Sequence, residues 1–260
     1  MNKKTFNFEN MDMELNKNEV HIWHFDLDKF NKDKTLIEKI LSQDELNRAN
    51  SFHFEIDRDR FICSHGVLRL LISVYSGFSP PSINFSFNNF GKPSVAKLLN
   101  KSGFQFNLSH SENIACCCFT KNSHIGIDIE FLGSTPNFWE LAERYFSEFE
   151  NQQLSSSPKK NFQIGFYNCW TSKEAVIKAL GEGLSFPLKD FSVNIEPLPV
   201  NKAKNYTLEV DKLSAKLFIE TFRIYPDFIG ACAVMGNFKS TTYWFCEDCS
   251  EFTSKMLNKY

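Results

Sequence analysis

The sequence predicts an α+β fold arranged as two similar lobes around a shared cleft, each lobe a long helix packed on a small, mostly antiparallel sheet. Three observations lead there. Two long stretches, 57–75 and 162–180, carry apolar residues at helical spacing. Each is followed by short segments of alternating or apolar character that read as strands. No linker is long enough to separate the halves as independent domains, so the elements share a layered architecture.

The elements follow in order. Residues 1–18 are polar and read as a disordered N-terminus. Residues 20–26, VHIWHFD, alternate and read as a strand. Ser42, with Glu45 three residues on, has the form of a capping box that opens a short helix through Asn50. The helix at 57–75 repeats Phe61, Leu68, Leu71, Ile72 and Tyr75 at helical intervals, and Gly77 with Pro80 and Pro81 stops it. A strand at 83–87 and a turn-rich loop at 88–93 come next. Strands at 104–108 and 114–120 are joined around Ser109-His110-Ser111, and a third strand occupies 125–130. A helix is expected at 138–149, a loop at 154–160, and a long helix at 162–180 closed by Gly181 and Gly183. Strands are expected at 191–195, 206–210, 217–222 and 228–235. The organisation is therefore an N-terminal lobe at 19–121, a C-terminal lobe at 122–236 and a tail at 237–260 without legible structure.

Composition excludes several classes. With 260 residues, the chain has room for one large domain or two small ones at about 150 residues per domain. Apolar residues at 42% and charged residues at 23% exclude a disordered or fibrous protein. A net charge of −2 gives no global field for nucleic acid or anionic lipid. No apolar run reaches the length of a membrane span, and the first residues lack the apolar stretch of a secretory signal. Eight cysteines, three of them consecutive at 116–118, suit a reducing cytoplasm better than a disulfide framework. Cys246 and Cys249 make a lone CxxC; zinc takes four ligands and no second pair accompanies it, so a metal or redox role is the less common reading. The 28 phenylalanines read as core filler.

Three segments can carry chemistry. In Ile125-Gly126-Ile127-Asp128-Ile129-Glu130, strand alternation puts the three isoleucines on one face and Gly126, Asp128 and Glu130 on the other. Two carboxylates on one face suit a hard divalent cation, or equally the solvated acidic face of a half-buried strand, which is the commoner case. Trp170, Glu174 and Lys178 recur at i, i+4 and i+8 on one helical face. Glu174 there is a candidate metal ligand or general base, and Lys178 a candidate neutraliser of phosphate charge; an exposed ion pair accounts for the same spacing. Phe106-Asn107-Leu108-Ser109-His110-Ser111 offers hydroxyls, backbone N–H groups and an imidazole to a phosphate, or forms a polar hairpin turn. Arg58, Arg60 and Arg69 on or near the first long helix, and Lys92 before Pro93, are candidate phosphate partners or ordinary surface charges.

In this order the segments resemble one family, the surfactin-type 4′-phosphopantetheinyl transferases. The matches are Gly91-Lys92-Pro93, FNLSHS at 106–111, GIDIE at 126–130, and WTSKEAVIKALGEGL at 170–184 with Pro187-Leu188. The arginine-bearing helix at 57–69 fits too, and the resemblance runs from about residue 20 to 235. It implies two α+β lobes with the active site in the cleft. It implies Mg²⁺-dependent transfer of the phosphopantetheine arm of coenzyme A onto a serine of an apo acyl, peptidyl or aryl carrier protein, releasing adenosine 3′,5′-bisphosphate. By the resemblance, Asp128, Glu130 and Glu174 match the Mg²⁺ ligands; Mn²⁺ accepts the same oxygens. Glu174 also matches the base for the serine proton, and Lys178 the lysine on the pyrophosphate. Ser109 and His110 match contacts to the coenzyme A phosphates, and Lys92 and Pro93 the loop that holds adenine. Arg58 and Arg60 correspond loosely to 3′-phosphate contacts. The implied partners are carrier proteins of fatty-acid, polyketide or nonribosomal peptide synthesis, met by a cytoplasmic monomer, with neither nucleic acid nor membrane. Glu45, Glu55 and Glu182 stand where the family commonly has lysines or other basic residues. The alternative is a non-catalytic module on the same fold that binds coenzyme A or a carrier protein.

Overall fold

The computed structural model describes residues 1–6, 13–96, 100, 103–133, 137–210, 215–236 and 238–259. The strands in chain order are β1 (Asn2–Thr5), β2 (Glu19–Asp26), β3 (Phe85–Phe87), β4 (Pro93–Val95), β5 (Phe104–Ser111), β6 (Ile114–Lys121), β7 (Ile125–Phe131), β8 (Lys202–Val210), β9 (Ala215–Arg223), β10 (Phe228–Met235) and β11 (Ser240–Phe245). The helices are α1 (Lys34–Glu38), α2 (Gln43–Ala49), α3 (Glu55–Ser76), α4 (Phe138–Tyr145), α5 (Glu148–Ser156), α6 (Lys159–Leu180) and α7 (Cys249–Lys259). They form two compact units, one from 2–122 with 241–260 and one from 123–240.

In the first unit the sheet order is β1-β11-β2-β6-β5, with β1 parallel to β11 and the β2–β6 and β5–β6 pairs antiparallel. The 22-residue α3 supplies Ile62, Leu70 and Leu71 to a core that also takes Trp23, Phe119 and Phe252. Gly77, at φ 75°, ends α3 in the left-handed conformation that costs glycine nothing. The second unit is an antiparallel sheet, β7-β10-β9-β8, with α6 laid on β7 and β10. Both units thus pair one 22-residue helix with a small sheet, the α+β class that the patterning predicts.

Several elements differ from expectation. Of residues 1–18, expected to be disordered, Asn2–Thr5 pair with β11 and Phe6 and Leu15 are buried in the first core; residues 7–12 lie outside the described residues. The tail supplies β11 and α7, whose Phe252 and Met256 are buried in the first core. The helix expected at 138–149 is two, because Ser147 caps α5, which then covers much of the expected loop. Ser109–Ser111 lie within β5; the reversal falls at Glu112 and Asn113, with Glu112 at φ 49°. No strand forms at 191–195. There the backbone bonds side chains instead: Val193 N–H donates to Glu150 Oε1 at 2.7 Å, and Phe191 C=O accepts from Lys173 Nζ at 2.7 Å. Among the described residues, no helix is long and apolar enough to cross a membrane.

Each long helix carries a buried cation. Lys173 of α6 is fully buried, and its Nζ reaches Glu150 at 2.9 Å and the Leu188 and Phe191 carbonyls at 2.7 Å each. That satisfies all three ammonium donors. Arg69 of α3, 1% exposed, reaches Glu45 at 2.6 Å and the Pro80 and Ile83 carbonyls at 2.9 and 3.0 Å. Removing one partner would strand a buried charge. Lys173→Ala or Glu150→Ala should therefore cost roughly 3–5 kcal/mol in urea unfolding followed by tryptophan fluorescence. A loss below about 1 kcal/mol, the range of an exposed pair, would show that the contact carries no such weight.

Burial also sets a pH response. His21 and His24 of β2 are buried, and burial holds both imidazoles at about 4, below their ordinary 6.5. The unfolded chain then binds more protons between those values, so stability is full above about pH 6.5 and falls as pH drops towards 4. The steepest loss should be about 1.4 kcal/mol per pH unit for each histidine. Urea midpoints at about pH 7 and about pH 5 should differ accordingly, and His24→Gln should narrow the gap; an unchanged gap would overturn the assignment.

Candidate active site

In β7, Gly126, Asp128 and Glu130 share the strand face turned towards α6. A Cβ on Gly126 would lie 2.2 Å from the Ala175 carbonyl oxygen and 2.3 Å from the Ala179 nitrogen. Only glycine lets strand and helix approach this closely. The approach brings Lys178 Nζ within 2.6 Å of Asp128 Oδ1, so Lys178 bonds across to the strand rather than standing as an exposed surface pair. Trp170, Glu174 and Lys178 form the half-open row of a helix otherwise buried on most sides.

The electrostatics record how closely these groups converge. Burial, and then the Asp128 charge, raises the Glu174 carboxyl to about 6. Burial pushes the Lys178 ammonium down, but Asp128, Glu174 and Glu130 together outweigh it and raise its pKa. All three predicted carboxylates therefore act on one ammonium. Among the described residues, no three His, Cys, Asp or Glu side chains close on a point as a metal cage. The donors are nonetheless hard oxygens facing each other across a strand–helix contact, which is the chemistry a divalent cation such as Mg²⁺ takes.

The remaining predicted residues lie in the first unit. Lys92 is the last residue of a turn in which Asn88 Oδ1 accepts from the N–H groups of Phe90 and Lys92 at 2.9 Å each. Burial brings its ammonium down to about 8. Pro93 and Gly91 line a cavity of about 340 Å³ whose walls include Arg48, Phe61, His65 and Asn107. Arg48 lies over the Phe61 ring at 5.3 Å, and His65 stacks on the same ring at 4.0 Å between centroids. The sequence reading assigned Phe61 to the core and gave His65 no part in a site; their i, i+4 spacing on α3 was the available signal. Strand alternation sends Ser109 and His110 to opposite faces of β5, Ser109 buried and His110 exposed. His110 shares a smaller cavity of about 190 Å³ with Arg60 and Asp57. Arg60 bonds Glu112 at 2.9 Å, and Arg58 bonds Glu38 at 3.3 Å, so both guanidinium groups already hold carboxylates.

Known proteins match both units. The family model for the 4′-phosphopantetheinyl transferase superfamily matches residues 124–227, and that for the 4′-phosphopantetheinyl transferase N-terminal region matches 28–121. The 4′-phosphopantetheinyl transferase HetI of Nostoc sp. is 38% identical over 183 residues, 70% of this chain and 77% of that protein. The 4′-phosphopantetheinyl transferase Sfp of Bacillus subtilis is 30% identical over 199 residues, 76% of this chain and 84% of that protein. The mouse L-aminoadipate-semialdehyde dehydrogenase-phosphopantetheinyl transferase is 28% identical, over 64% of this chain and 56% of that protein. On these matches the chain belongs to the 4′-phosphopantetheinyl transferase family.

Proposed function

We propose that the protein transfers 4′-phosphopantetheine from coenzyme A to a serine of an apo acyl, peptidyl or aryl carrier protein and releases adenosine 3′,5′-bisphosphate. The observation that carries this reading is the convergence of Asp128, Glu130 and Glu174 on Lys178. The serine hydroxyl attacks the pantetheine-side phosphorus, and the bond from that phosphorus to the bridging oxygen of the pyrophosphate breaks. Such a transfer needs charge neutralisation and an in-line nucleophile more than covalent help from the protein.

Lys178 Nζ is placed to follow the charge that grows on the pyrophosphate as the bond breaks. Glu174 accepts the serine proton at a carboxylate oxygen, because a hydroxyl is a weak nucleophile until a base relieves it. A divalent cation, held by Asp128, Glu130 and Glu174, would neutralise the phosphate oxygens and orient the ester. The cavity beside Gly91 and Pro93 has the size and the aromatic wall for an adenine ring. His110 and Arg60 are the candidates for the adenosine 3′-phosphate, with Arg60 exchanging a carboxylate for the phosphate.

Intact-mass spectrometry of a panel of apo carrier proteins tests the proposal. With coenzyme A and Mg²⁺, one carrier should gain about 340 Da, one phosphopantetheinyl group on its serine. EDTA should abolish the gain. Asp128→Ala and Glu174→Ala should each slow transfer by about 10²-fold or more while unfolding as cooperatively as the unaltered chain. A folded Asp128→Ala variant with undiminished transfer would overturn the site. Coenzyme A binding without transfer to any carrier would favour the non-catalytic module instead.

A further inference from the structure

The CxxC at the end of the chain takes no part in the proposed reaction, yet it is placed unlike the other cysteines. Of the eight, Cys246 alone is not buried. Cys63, Cys116, Cys117, Cys118, Cys169 and Cys232 lie inside the two units, and burial pushes the Cys63 thiol up to about 12 and those of Cys117 and Cys169 well above their ordinary value. An inert thiol of this kind is a packing group.

Cys246 follows β11 directly, and Cys249 is the first residue of the 11-residue α7. Both flanking elements are fixed. β11 pairs along β1 through Thr5 and Phe245, and α7 is anchored by the fully buried Phe252, whose ring meets Phe6 at 5.7 Å. Between them, Asp248 organises the turn. Its carboxylate accepts from Glu251 N–H at 2.9 Å, and its carbonyl accepts from both Phe252 N–H and the Cys246 thiol at 3.0 Å. The Cys246 thiol thus lies against the peptide group that leads into Cys249. The neighbouring Cys246 side chain holds the Cys249 thiol below its ordinary value, with Lys29 contributing and burial, Asp26 and Asp248 opposing, while the Cys246 thiol is pushed up. A reachable sulfur, set against the peptide group that leads into a second sulfur at the start of a helix, makes a site for thiol–disulfide exchange.

We propose that Cys246 and Cys249 form a reversible dithiol–disulfide site, oxidised by low-molecular-weight disulfides such as oxidised glutathione. In the first step the Cys246 thiol gives up its proton as its sulfur attacks one sulfur of the small disulfide, the small disulfide's S–S bond breaks, and the small thiolate that leaves takes up the proton. In the second, the other cysteine attacks the protein-side sulfur of the mixed disulfide and expels the second small thiol with the second proton. Two protein S–H bonds and one small-molecule S–S bond become one protein S–S bond and two small-molecule S–H bonds. Two electrons pass from the protein to the oxidant. The half-exposed Cys246 is the entry sulfur and Cys249 the resolving one.

The test uses the full-length protein in glutathione buffers of graded ratio without denaturant, with acid quenching, maleimide labelling of the remaining thiols and peptide mapping. The native chain should lose two labelled thiols together, and the peptide spanning 246–249 should carry an internal disulfide before any other cysteine reacts. Added dithiothreitol should restore both labels. Cys249→Ser, lacking the resolving thiol, should instead accumulate a glutathione adduct on Cys246. The proposal is overturned if the native chain keeps all eight thiols in the most oxidising buffer, if its first disulfide maps elsewhere, or if oxidation stops at a mixed disulfide on Cys246. The map on the native chain decides even if the variant fails to fold.

Discussion

The contact on which the second unit depends is the buried ammonium of Lys173. It is fully buried, so its three donors must be met by protein, and they are met by one carboxylate from α5 and two carbonyls from the segment at 188–191. Glu150 is equally committed. One oxygen takes Lys173 and the Ser147 N–H, and the other takes the Val193 N–H. The start of α5, the middle of α6 and the irregular segment around Leu188–Val193 are thereby fixed to each other by a network with little slack. The neighbouring residue on α6 is Glu174. The rotation and height of the helix that presents Glu174 and Lys178 to β7 are set from its opposite side by this charge.

The first unit solves the same problem with the same parts. Ser42 and Glu45 form a capping box at α2, as Ser147 and Glu150 do at α5. In each unit the capping glutamate binds a cation on the long helix, 24 residues on in one case and 23 in the other. In each, that cation also takes two carbonyls three residues apart, Pro80 and Ile83 or Leu188 and Phe191. The resemblance between units therefore lies in polar contacts that sequence comparison of the halves does not reveal, since arginine stands in one and lysine in the other. The same contacts account for a glutamate at position 45. Bonds from His65, Arg69 and Ser42 outweigh the cost of burial and hold its carboxyl at about 2, so its charge serves the fold.

What the sequence disclosed followed from whether a contact is local. The first capping box, the two long helices with their glycine ends and the Asp128/Glu130 face are settled by neighbours within a few residues, and each was legible. The second box has the same S-x-x-E form at 147–150 but was read through as one helix, because Phe138–Phe149 is apolar enough to mask a break at Ser147. The segment at 191–195 has the composition of a strand, yet its hydrogen bonds go to Lys173 and Glu150, partners some 18 and 43 residues away. Nothing in a local pattern announces that. The pairing of β1 with β11 joins the two ends of the chain and was hidden for the same reason.

The candidate site combines both kinds of information. The chemistry of its groups was visible in GIDIE and WTSKE, but their meeting was not, and the meeting depends on constraints acting from opposite sides. The Lys173 network fixes α6 from behind. At the front, the missing side chain of Gly126 removes the one obstacle between the Ala175 carbonyl and the strand. Once helix and strand are that close, Lys178 reaches Asp128 at 2.6 Å, with Glu174 and Glu130 within range of its charge. A larger residue at 126 would press on the α6 backbone at Ala175, Lys178 and Ala179, move β7 off the helix and separate the Asp128 and Lys178 side chains. The glycine is therefore as much part of the site as the carboxylates, through a distance it sets rather than a bond it makes.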